Sequence, residues 1–396
     1  MSRIILDVHV LQTVPPSNIN RDDTGSPKRA VYGGVNRARV SSQAWKRATR
    51  EAFRDVLDPS ELGTRTKRVA ELVAESIRRQ DDSIEQAEAL ALAAATVTAA
   101  TGTKIEPPKR AKKDKDNGND EDTAPQSSYL MFLSARQRDG LAELAVEGRD
   151  DIAAFLKAKQ NKDRAKRIAN TRHSVDIALF GRMVADASDI NVDASAQVAH
   201  AISVHAADTE SDYYTAVDDR REDDEPGAGM IGTVEFNSAT LYRYAAVDVN
   251  RLAENLGAGL RDEQPGTAPV RRAVEAFVRA FVESMPTGKS NTFANHTLPD
   301  AVVVKLRDSR PVSFVGAFEE PVTQDEKSGQ VREACRKLSR YIPEVEGAYG
   351  AEAVATWVLR VGEATEDLAG LGDEVTLGDL VDGVGEAVAR RLETSA

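Results

Sequence analysis

The chain has 396 residues and is acidic, with 52 Lys and Arg against 64 Asp and Glu and a formal net charge of −12. This charge excludes a protein that coats nucleic acid with its whole surface, although a local basic groove remains compatible with it. The single cysteine, Cys335, excludes an intrachain disulfide framework and is typical of a reducing compartment. We find no secretory leader and no membrane-spanning run, and therefore expect a cytoplasmic protein without a membrane partner.

Positive charge is concentrated at the start of the chain. Residues 1–50 contain nine Lys and Arg and three Asp, a net charge of +6, so the other 346 residues carry −18. Such an asymmetry indicates a local surface for an anionic partner.

The first elements are a strand, a long loop and a helix. Residues 4–11 are rich in β-branched side chains and predict a strand. Residues 12–34 contain Pro, Asn, Asp and Gly, which predict a loop. Ser41 and Ser42 supply an N-cap for a helix over residues 43–57.

This helix is the first candidate site. A helix N-terminus attracts phosphate through its N–H groups and its partial positive charge. Hydroxyls, basic side chains and the Gly33–Gly34 turn suit a sugar–phosphate chain better than a base edge. The candidate contacts are Arg21, Lys28, Ser42, Lys46, Arg47 and Arg50. The alternative is a solvated amphipathic helix that happens to be basic.

The middle of the chain predicts helices and then strands. Residues 59–181 are rich in Ala, Leu and Glu and predict a helical region, interrupted by a disordered segment at about 101–128. Residues 196–204 and 232–247 predict strands, and the polar segment between them is long enough to indicate a functional excursion.

The last third of the chain predicts a helix, two strands and a helical end. The helix covers residues 269–285, the strands cover 301–306 and 311–318, and the helical region covers 322–396. Because the predicted strands come from both ends of the chain, the fold class is α+β with a helical insertion.

Six motifs together resemble a known family. They are NINRDD (18–23), YGGVNRARVSSQAWKRATR (32–50), VDIALFGRM (175–183), AHAISVHAADTESDYYTAVDD (199–219), GTVEFNSATLYRY (232–244) and ENLG (254–257). In this order and spacing they are similar to the CasC family, the repeated backbone subunit of the type I-E CRISPR surveillance complex, Cascade.

The resemblance implies an RRM-like (ferredoxin-like) palm with helical fingers inserted and a long β-hairpin thumb. It assigns residues 1–57, 179–204 and 232–321 to the palm, 58–178 to the fingers, 205–231 to the thumb and 322–396 to a C-terminal helical region. The charged insertion at 101–128 departs from the family pattern, and we assign it no role.

The resemblance also implies a function. The chain is expected to bind CRISPR RNA without catalysis or cofactor, to assemble with further copies of itself and other Cascade subunits, and to present the guide to target DNA. Gln43 joins the implied RNA contacts. Met183, Tyr214 and Thr215 are the implied wedge and thumb residues, with Tyr213 as the alternative aromatic contact.

Two other functions remain open. Asp22 or Asp23 could bind Mg²⁺ beside RNA and support backbone cleavage, or could satisfy loop N–H groups. The basic face could instead meet an acidic protein in a protein–protein scaffold.

Two further motifs predict little chemistry. TGKSNT at 287–292 ends like a phosphate-binding loop, but Glu283 stands where the required glycine should be and no predicted strand precedes it. Lys289 and Ser290 remain candidates for a loop contact. His173, His200, His205 and His296 lack zinc-site spacing and are interpreted as structural or surface residues.

Overall fold

The structure is a computed structural model that describes residues 3–106, 125–184, 188–216, 230–257, 266–323 and 329–395. The described strands are β1 (Ile5–Ser17), β2 (Arg29–Tyr32), β3 (Val35–Val40), β4 (Gly63–Thr66), β5 (Ile105–Glu106), β6 (Gln126–Ser127), β7 (Met131–Ser134), β8 (Ala196–Val198), β9 (Ala201–Ser203), β10 (Glu210–Ala216), β11 (Met230–Asp248), β12 (Ala301–Arg307), β13 (Ala355–Arg360) and β14 (Asp373–Glu374).

The described α-helices are α1 (Ser42–Val56), α2 (Val69–Gln80), α3 (Gln86–Thr101), α4 (Ala135–Glu147), α5 (Ile152–Lys157), α6 (Lys159–Ala169), α7 (Val175–Phe180), α8 (Val249–Leu256), α9 (Ala268–Glu283), α10 (Ser290–Phe293), α11 (Gln330–Tyr349) and α12 (Leu377–Ser395). Short 3-10 helices are Pro59–Glu61, Arg149–Asp151, Ser188–Ile190, Val315–Phe318 and Glu363–Leu371. The predicted α+β class is confirmed.

The chain forms two compact units. The sheet unit comprises Met1–Phe53, Gln197–Asp248 and Val274–Ala396. The helical unit comprises Arg54–Ala196 and Val249–Ala273.

A large mixed sheet forms the centre of the sheet unit. Its strand order is β14-β13-β12-β1-β11-β9-β3-β2, and β8 and β10 also pair with β11. Strand β1 lies between β11 and β12 and is antiparallel to both, whereas β13 and β14 are parallel. The N-terminal strand is therefore paired with strands that follow it in the sequence by more than two hundred residues.

Side chains cover both faces of this sheet. On one face, Leu11, Tyr242 and Val303 belong to a core that includes Leu338 and Ile342 of α11. A second core in the same unit joins Val14, Val40 and Leu241 to Trp45 of α1. Because both faces are covered, β1 is buried along most of its length.

Buried charges link β1 to β12. The Arg307 guanidinium contacts the Asp7 carboxylate at 2.7 Å and the Glu346 carboxylate at 2.8 Å, and both Asp7 and Arg307 are fully buried. Tyr244 donates to the other oxygen of Asp7 at 2.8 Å. Burial raises the pKa of Asp7, and the bonds from Tyr244 and Arg307 oppose that rise.

The helical unit has its own core. Helices α2, α3, α4 and α6 contribute buried residues such as Val73, Leu92, Leu141 and Ala165 to one cluster. Strands β4 and β7 form a two-stranded pair in this unit, and β5 pairs with β6. The predicted helical region is thus largely helical but contains strands that its composition does not indicate.

Part of the predicted disordered segment is ordered. Residues 101–106 and 125–128 include the end of α3 and the β5–β6 pair, whereas 107–124 lie outside the described residues. The tip of the predicted thumb, 217–229, also lies outside them.

Two predictions of local structure in the last third of the chain are wrong. The 311–318 segment is not a strand, because its N–H groups are satisfied by side chains of the sheet: Val312 donates to the Asp7 carboxylate and Phe314 to the Tyr242 hydroxyl. The 322–396 region is not wholly helical, because β13 pairs with β12 at the edge of the sheet.

Several other boundaries differ from the sequence analysis. Strand β1 continues through Pro15 and Pro16 to Ser17, with a register shift after Val14 that accommodates the missing proline N–H groups. Residues 54–57, 179–196 and 249–273, assigned to the palm in the sequence analysis, lie in the helical unit. There the buried Arg182 donates to the carbonyls of Phe132, Ala169 and Ile190.

None of the helices in the described part of the chain is both long and apolar enough to cross a lipid bilayer.

Arg307→Met tests the contribution of the buried charge network. We expect the free energy of unfolding to fall by about 3–5 kcal/mol, because the substitution leaves the Asp7 carboxylate buried without its cation. Urea unfolding followed by circular dichroism measures this loss.

The matched control is Arg390→Met, which removes an exposed helical ion pair with Glu386. Its cost should stay below about 1 kcal/mol. Equal losses for the two variants would contradict a special role for the buried network.

Candidate nucleic-acid interface

Asn20 joins the first loop to the start of α1. Its carbonyl accepts a hydrogen bond from the N–H of Lys28 at 2.9 Å. Its side-chain oxygen accepts one from the N–H of Ser41 at 2.8 Å. Two segments that the sequence analysis singled out, the basic loop and the helix N-terminus, are therefore held side by side.

Helix α1 has one buried and one polar face. Trp45, Ala48, Thr49 and Phe53 are the buried residues of α1, and its first turn contains no acid. Gln43 and Arg47 are exposed, whereas Lys46 and Arg50 are partly buried. Burial lowers the pKa of Lys46. The predicted basic face therefore exists.

Arg47 is ion-paired on this face. Its Nε lies 2.9 Å from an oxygen of Glu51, one turn further along the helix, and four-fifths of its side chain is exposed. Such a solvent-exposed pair contributes little stability, so a phosphate can replace the carboxylate at small cost.

The helix N-terminus differs from the expectation of free amides. The N–H of Ala44 donates to the Ser41 hydroxyl at 3.3 Å, as an N-cap requires. The N–H of Ser42 donates to His200 Nδ1 at 3.1 Å. Because these two amides already have protein acceptors, charge at this end comes from side chains such as Lys28 and Arg39.

Arg37 is not part of the basic surface. It is fully buried and donates to the carbonyls of Tyr32, Ser203 and Phe318. Burial lowers the pKa of Arg37. The sequence analysis counted this residue among the local positive charges, but its role in the structure is to hold the β2–β3 hairpin to the sheet unit.

Gly33 makes the turn of this hairpin possible. Its φ of +59° lies in the left-handed region, and a Cβ built on it would lie 1.6 Å from the carbonyl oxygen of Glu319. Gly34 also has a positive φ, +77°, but no atom lies near its Cβ position. Of these two positions, only 33 therefore requires glycine both for its backbone conformation and for the lack of space for a Cβ atom.

Asp22 organises the loop after β1. One of its oxygens accepts hydrogen bonds from the Thr24 hydroxyl at 2.7 Å, the Thr24 N–H at 2.9 Å and the Ser26 N–H at 3.0 Å. These bonds, led by the Thr24 hydroxyl, lower the pKa of Asp22. Asp23 and Arg21 are exposed on the same loop.

This arrangement fits the structural interpretation of Asp22, in which the carboxylate satisfies loop N–H groups. Across the described ranges, no group of three or more His, Cys, Asp or Glu side chains is arranged to hold a metal ion.

The TGKSNT segment lies against the first loop. A Cβ on Gly288 would lie 2.4 Å from the carbonyl oxygen of Ile19, so the two backbones touch. The ring of Phe293, at the end of α10, packs against that of Phe236 of β11 in a tilted arrangement, with the ring centres 5.9 Å apart. The segment that contains Lys289 is therefore near both the loop and the base of the hairpin, a proximity that the sequence spacing could not reveal.

Strands β10 and β11 form the described part of the predicted thumb. Tyr213 pairs with Thr233, and Tyr214 pairs with Gly232. The Tyr214 ring covers Gly232, within 2.5 Å of its Cβ position, which stabilises a glycine in a strand. Tyr214 therefore packs on the hairpin itself.

The side chain of Tyr213 is more exposed than that of Tyr214, at 62% against 39%. Thr215 is also exposed. The sequence analysis favoured Tyr214 as the base contact. That choice stays a prediction, and the exposure makes Tyr213 the freer aromatic ring.

Met183 lies in the helical unit, whereas the other predicted RNA contacts lie in the sheet unit. Its side chain is 86% exposed, although it directly follows the buried Arg182. Gly181, with a φ of +77°, starts this turn. An exposed methionine next to a firmly anchored arginine can serve as a flexible apolar wedge.

Comparison with known proteins identifies relatives. A family model described as CT1975-like protein matches residues 6–383. A chain in a solved structure of a "CRISPR RNA-guided surveillance complex, pre-nicking" has 35% sequence identity and a TM-score of 0.80, with 97% of this chain and 100% of that chain covered. A chain in another "CRISPR RNA-guided surveillance complex" has 32% identity and a TM-score of 0.70, with 97% and 99% covered. No match was found among curated protein sequences.

Gly33→Ala tests the close approach of the hairpin turn to Glu319. We expect it to cost about 1–3 kcal/mol more than Gly34→Ala, because both substitutions strain a left-handed backbone but only the first also clashes. Chemical unfolding of the two variants gives the difference. Equal destabilisation would mean that the Glu319 backbone moves away freely.

Proposed function

The chain belongs to the CT1975-like family, and we propose that it is a non-catalytic CRISPR RNA-binding backbone subunit of a type I-E, Cascade-type complex. Several copies would assemble along one guide with other subunits and leave its bases free to pair with target DNA. The similarity over 97% of the chain to subunits of CRISPR RNA-guided surveillance complexes carries this proposal.

The sheet unit corresponds in this proposal to an RRM-like palm, the helical unit to the fingers and β10–β11 to the thumb. Strand β11 supports the last assignment, because residues 237–248 pair with β1 in the sheet while residues 230–236 pair with β10. The thumb is thus a direct continuation of a buried strand.

The chemistry of the interface favours the RNA backbone over base edges. A guide must be held without its sequence being read, so contacts go to phosphates and ribose hydroxyls. The predicted contacts offer cations, hydroxyls and an amide: Arg21, Lys28, Ser42, Gln43, Lys46, Arg47, Arg50 and Thr215. Lys289 joins them through its position beside the first loop.

Base displacement needs an apolar or aromatic wedge. Tyr213, Tyr214 and Met183 have exposed side chains of that kind. Stacking of a base on an aromatic side chain contributes roughly 1–3 kcal/mol and is tolerant of sequence. We propose that one tyrosine and the methionine splay the guide at intervals.

Absence of catalysis is part of the proposal. One oxygen of the Asp22 carboxylate accepts three loop hydrogen bonds, which supports a structural role for that carboxylate. Cleavage by Asp22 or Asp23 is the outcome against which the proposal is tested.

Co-expression with a CRISPR RNA and the neighbouring subunits tests the function. Native mass spectrometry of the purified assembly should find several copies of this chain on one intact guide, because each copy grips a separate stretch of backbone.

A guide cut at regular intervals, with cutting abolished by Asp23→Ala, would replace the proposal with a nuclease. A stable protein assembly that forms without RNA would replace it with a protein scaffold.

The double variant Lys46→Gln/Arg50→Gln tests the basic face of α1. We expect weaker binding to every single-stranded RNA sequence and a shallower dependence of log affinity on log salt concentration, because up to two phosphate contacts are lost. Fluorescence anisotropy over a salt series measures both quantities. Arg390→Gln is the control for a lost surface charge, and a slope equal to that of the wild type would remove α1 from the interface.

A further inference from the structure

His200 occupies an exposed bend between β8 and β9. The N–H of the preceding residue, Ala199, donates to the Tyr244 carbonyl of β11 at 2.9 Å, which fixes the bend to the sheet. The imidazole extends to the start of α1, where its Nδ1 lies 3.1 Å from the N–H of Ser42. The sequence analysis interpreted His200 as a structural or surface residue.

The contact with Ser42 determines the tautomer of His200. A backbone N–H can only donate, so Nδ1 must be the acceptor and the ring proton must lie on Nε2. The Arg39 guanidinium, also a donor only, lies 3.5 Å from the same Nδ1. Partial burial and then the cations Arg39 and Lys28 lower the pKa of His200, so the neutral ring is favoured.

The surroundings of the His200 ring favour a negatively charged hydrogen-bond acceptor. Lys28 and Arg39 are the charged groups that act on His200, and both are positive. The described residues provide no hydrogen-bond partner for Nε2, and the side chain is exposed. The N–H of Ser42 already donates to His200 Nδ1 and is not available to a ligand. The His200 ring instead presents its own Nε2–H beside Lys28 and Arg39.

We propose that His200 is an RNA-binding residue that donates its Nε2–H, as a neutral ring, to a phosphodiester oxygen of the bound RNA while its Nδ1 orients the start of α1. This inference rests on the proposed function and adds one contact to it. A phosphodiester fits because its oxygens accept hydrogen bonds and its charge is complementary to Lys28 and Arg39.

Two substitutions separate the two ring nitrogens. His200→Asn keeps an acceptor near the position of Nδ1 but lacks a group that reaches the position of Nε2. His200→Gln keeps a donor near Nε2 but lacks the acceptor for Ser42. The full-length chain and a fluorescein-labelled single-stranded RNA of mixed sequence are the materials, and anisotropy over a salt series is the measurement.

We expect His200→Asn to weaken binding about tenfold at every salt concentration, because one hydrogen bond to a charged group is lost. The slope of log affinity against log salt should stay that of the wild type, since a neutral donor releases no counterion. Lys28→Gln is the matched control and should reduce the slope by about one. His200→Gln should bind the RNA more tightly than His200→Asn, because it keeps a donor near Nε2. It should unfold at a lower temperature than His200→Asn, because the N–H of Ser42 loses its acceptor.

Wild-type affinity in His200→Asn would overturn the proposal and reduce His200 to a cap of α1. A reduced slope in His200→Asn would also overturn it, because His200 would then bind as a cation. Equal losses of RNA affinity in the Asn and Gln variants would overturn it as well, because a donor at the Nε2 position would then make no difference to binding. Failure of the wild-type chain itself to bind the RNA would instead count against the proposed function.

Discussion

The pairing of β1 between β11 and β12 is the constraint on which the sheet unit depends. Asp7 of β1 and Arg307 of β12 are separated by 300 positions and form a fully buried ion pair. A one-residue slip of either strand would move one of these charges to the opposite face of the sheet. The pair therefore raises the free energy of an incorrect strand register. Glu346 and Tyr244 provide the remaining hydrogen bonds of Arg307 and Asp7.

This pairing also determines where the candidate interface forms. The loop that contains Asn20 follows directly from β1, and the hairpin strand β11 continues beyond the segment that β1 pairs with. Asn18 connects the two, because its side-chain amide donates to the carbonyls of Gly25 in the loop and Glu235 in β11, each at 2.9 Å. The central sheet thus supports a surface to which the loop after β1, the start of α1 and the β10–β11 hairpin all contribute.

Counting charges in the sequence overestimates the basic surface. Arg37, Arg182, Arg243 and Arg307 are buried and bind backbone carbonyls or carboxylates. Burial lowers the pKa of Arg243 to about 9, and its guanidinium lies 3.7 Å from the centre of the Trp45 ring. Arginine is suited to this role because its planar fork of donors satisfies several carbonyls at once. The cations that remain for an anionic ligand are therefore fewer than the composition indicates.

Local sequence determined the elements whose signals are local. The N-cap and apolar spacing of α1, the long strand β11, β12 and the amphipathic helix α9 were all predictable, because each depends on periodicity and on neighbours within a few residues. The motifs also indicated a relationship to CRISPR surveillance-complex subunits, and the comparisons confirm it at that level.

Only the tertiary structure decided the features that depend on distant partners. Residues 311–318 have the composition of a strand, yet N–H groups in this segment donate to side chains of the sheet instead of to a neighbouring strand. Residues 355–360 form a strand because β12 offers an open edge. Arg37 is buried and His200 caps α1 for the same reason, because their partners come from other segments of the chain. Hydrogen bonds and burial across such separations leave no local pattern in the sequence, so the exact members of the interface could not be deduced from it.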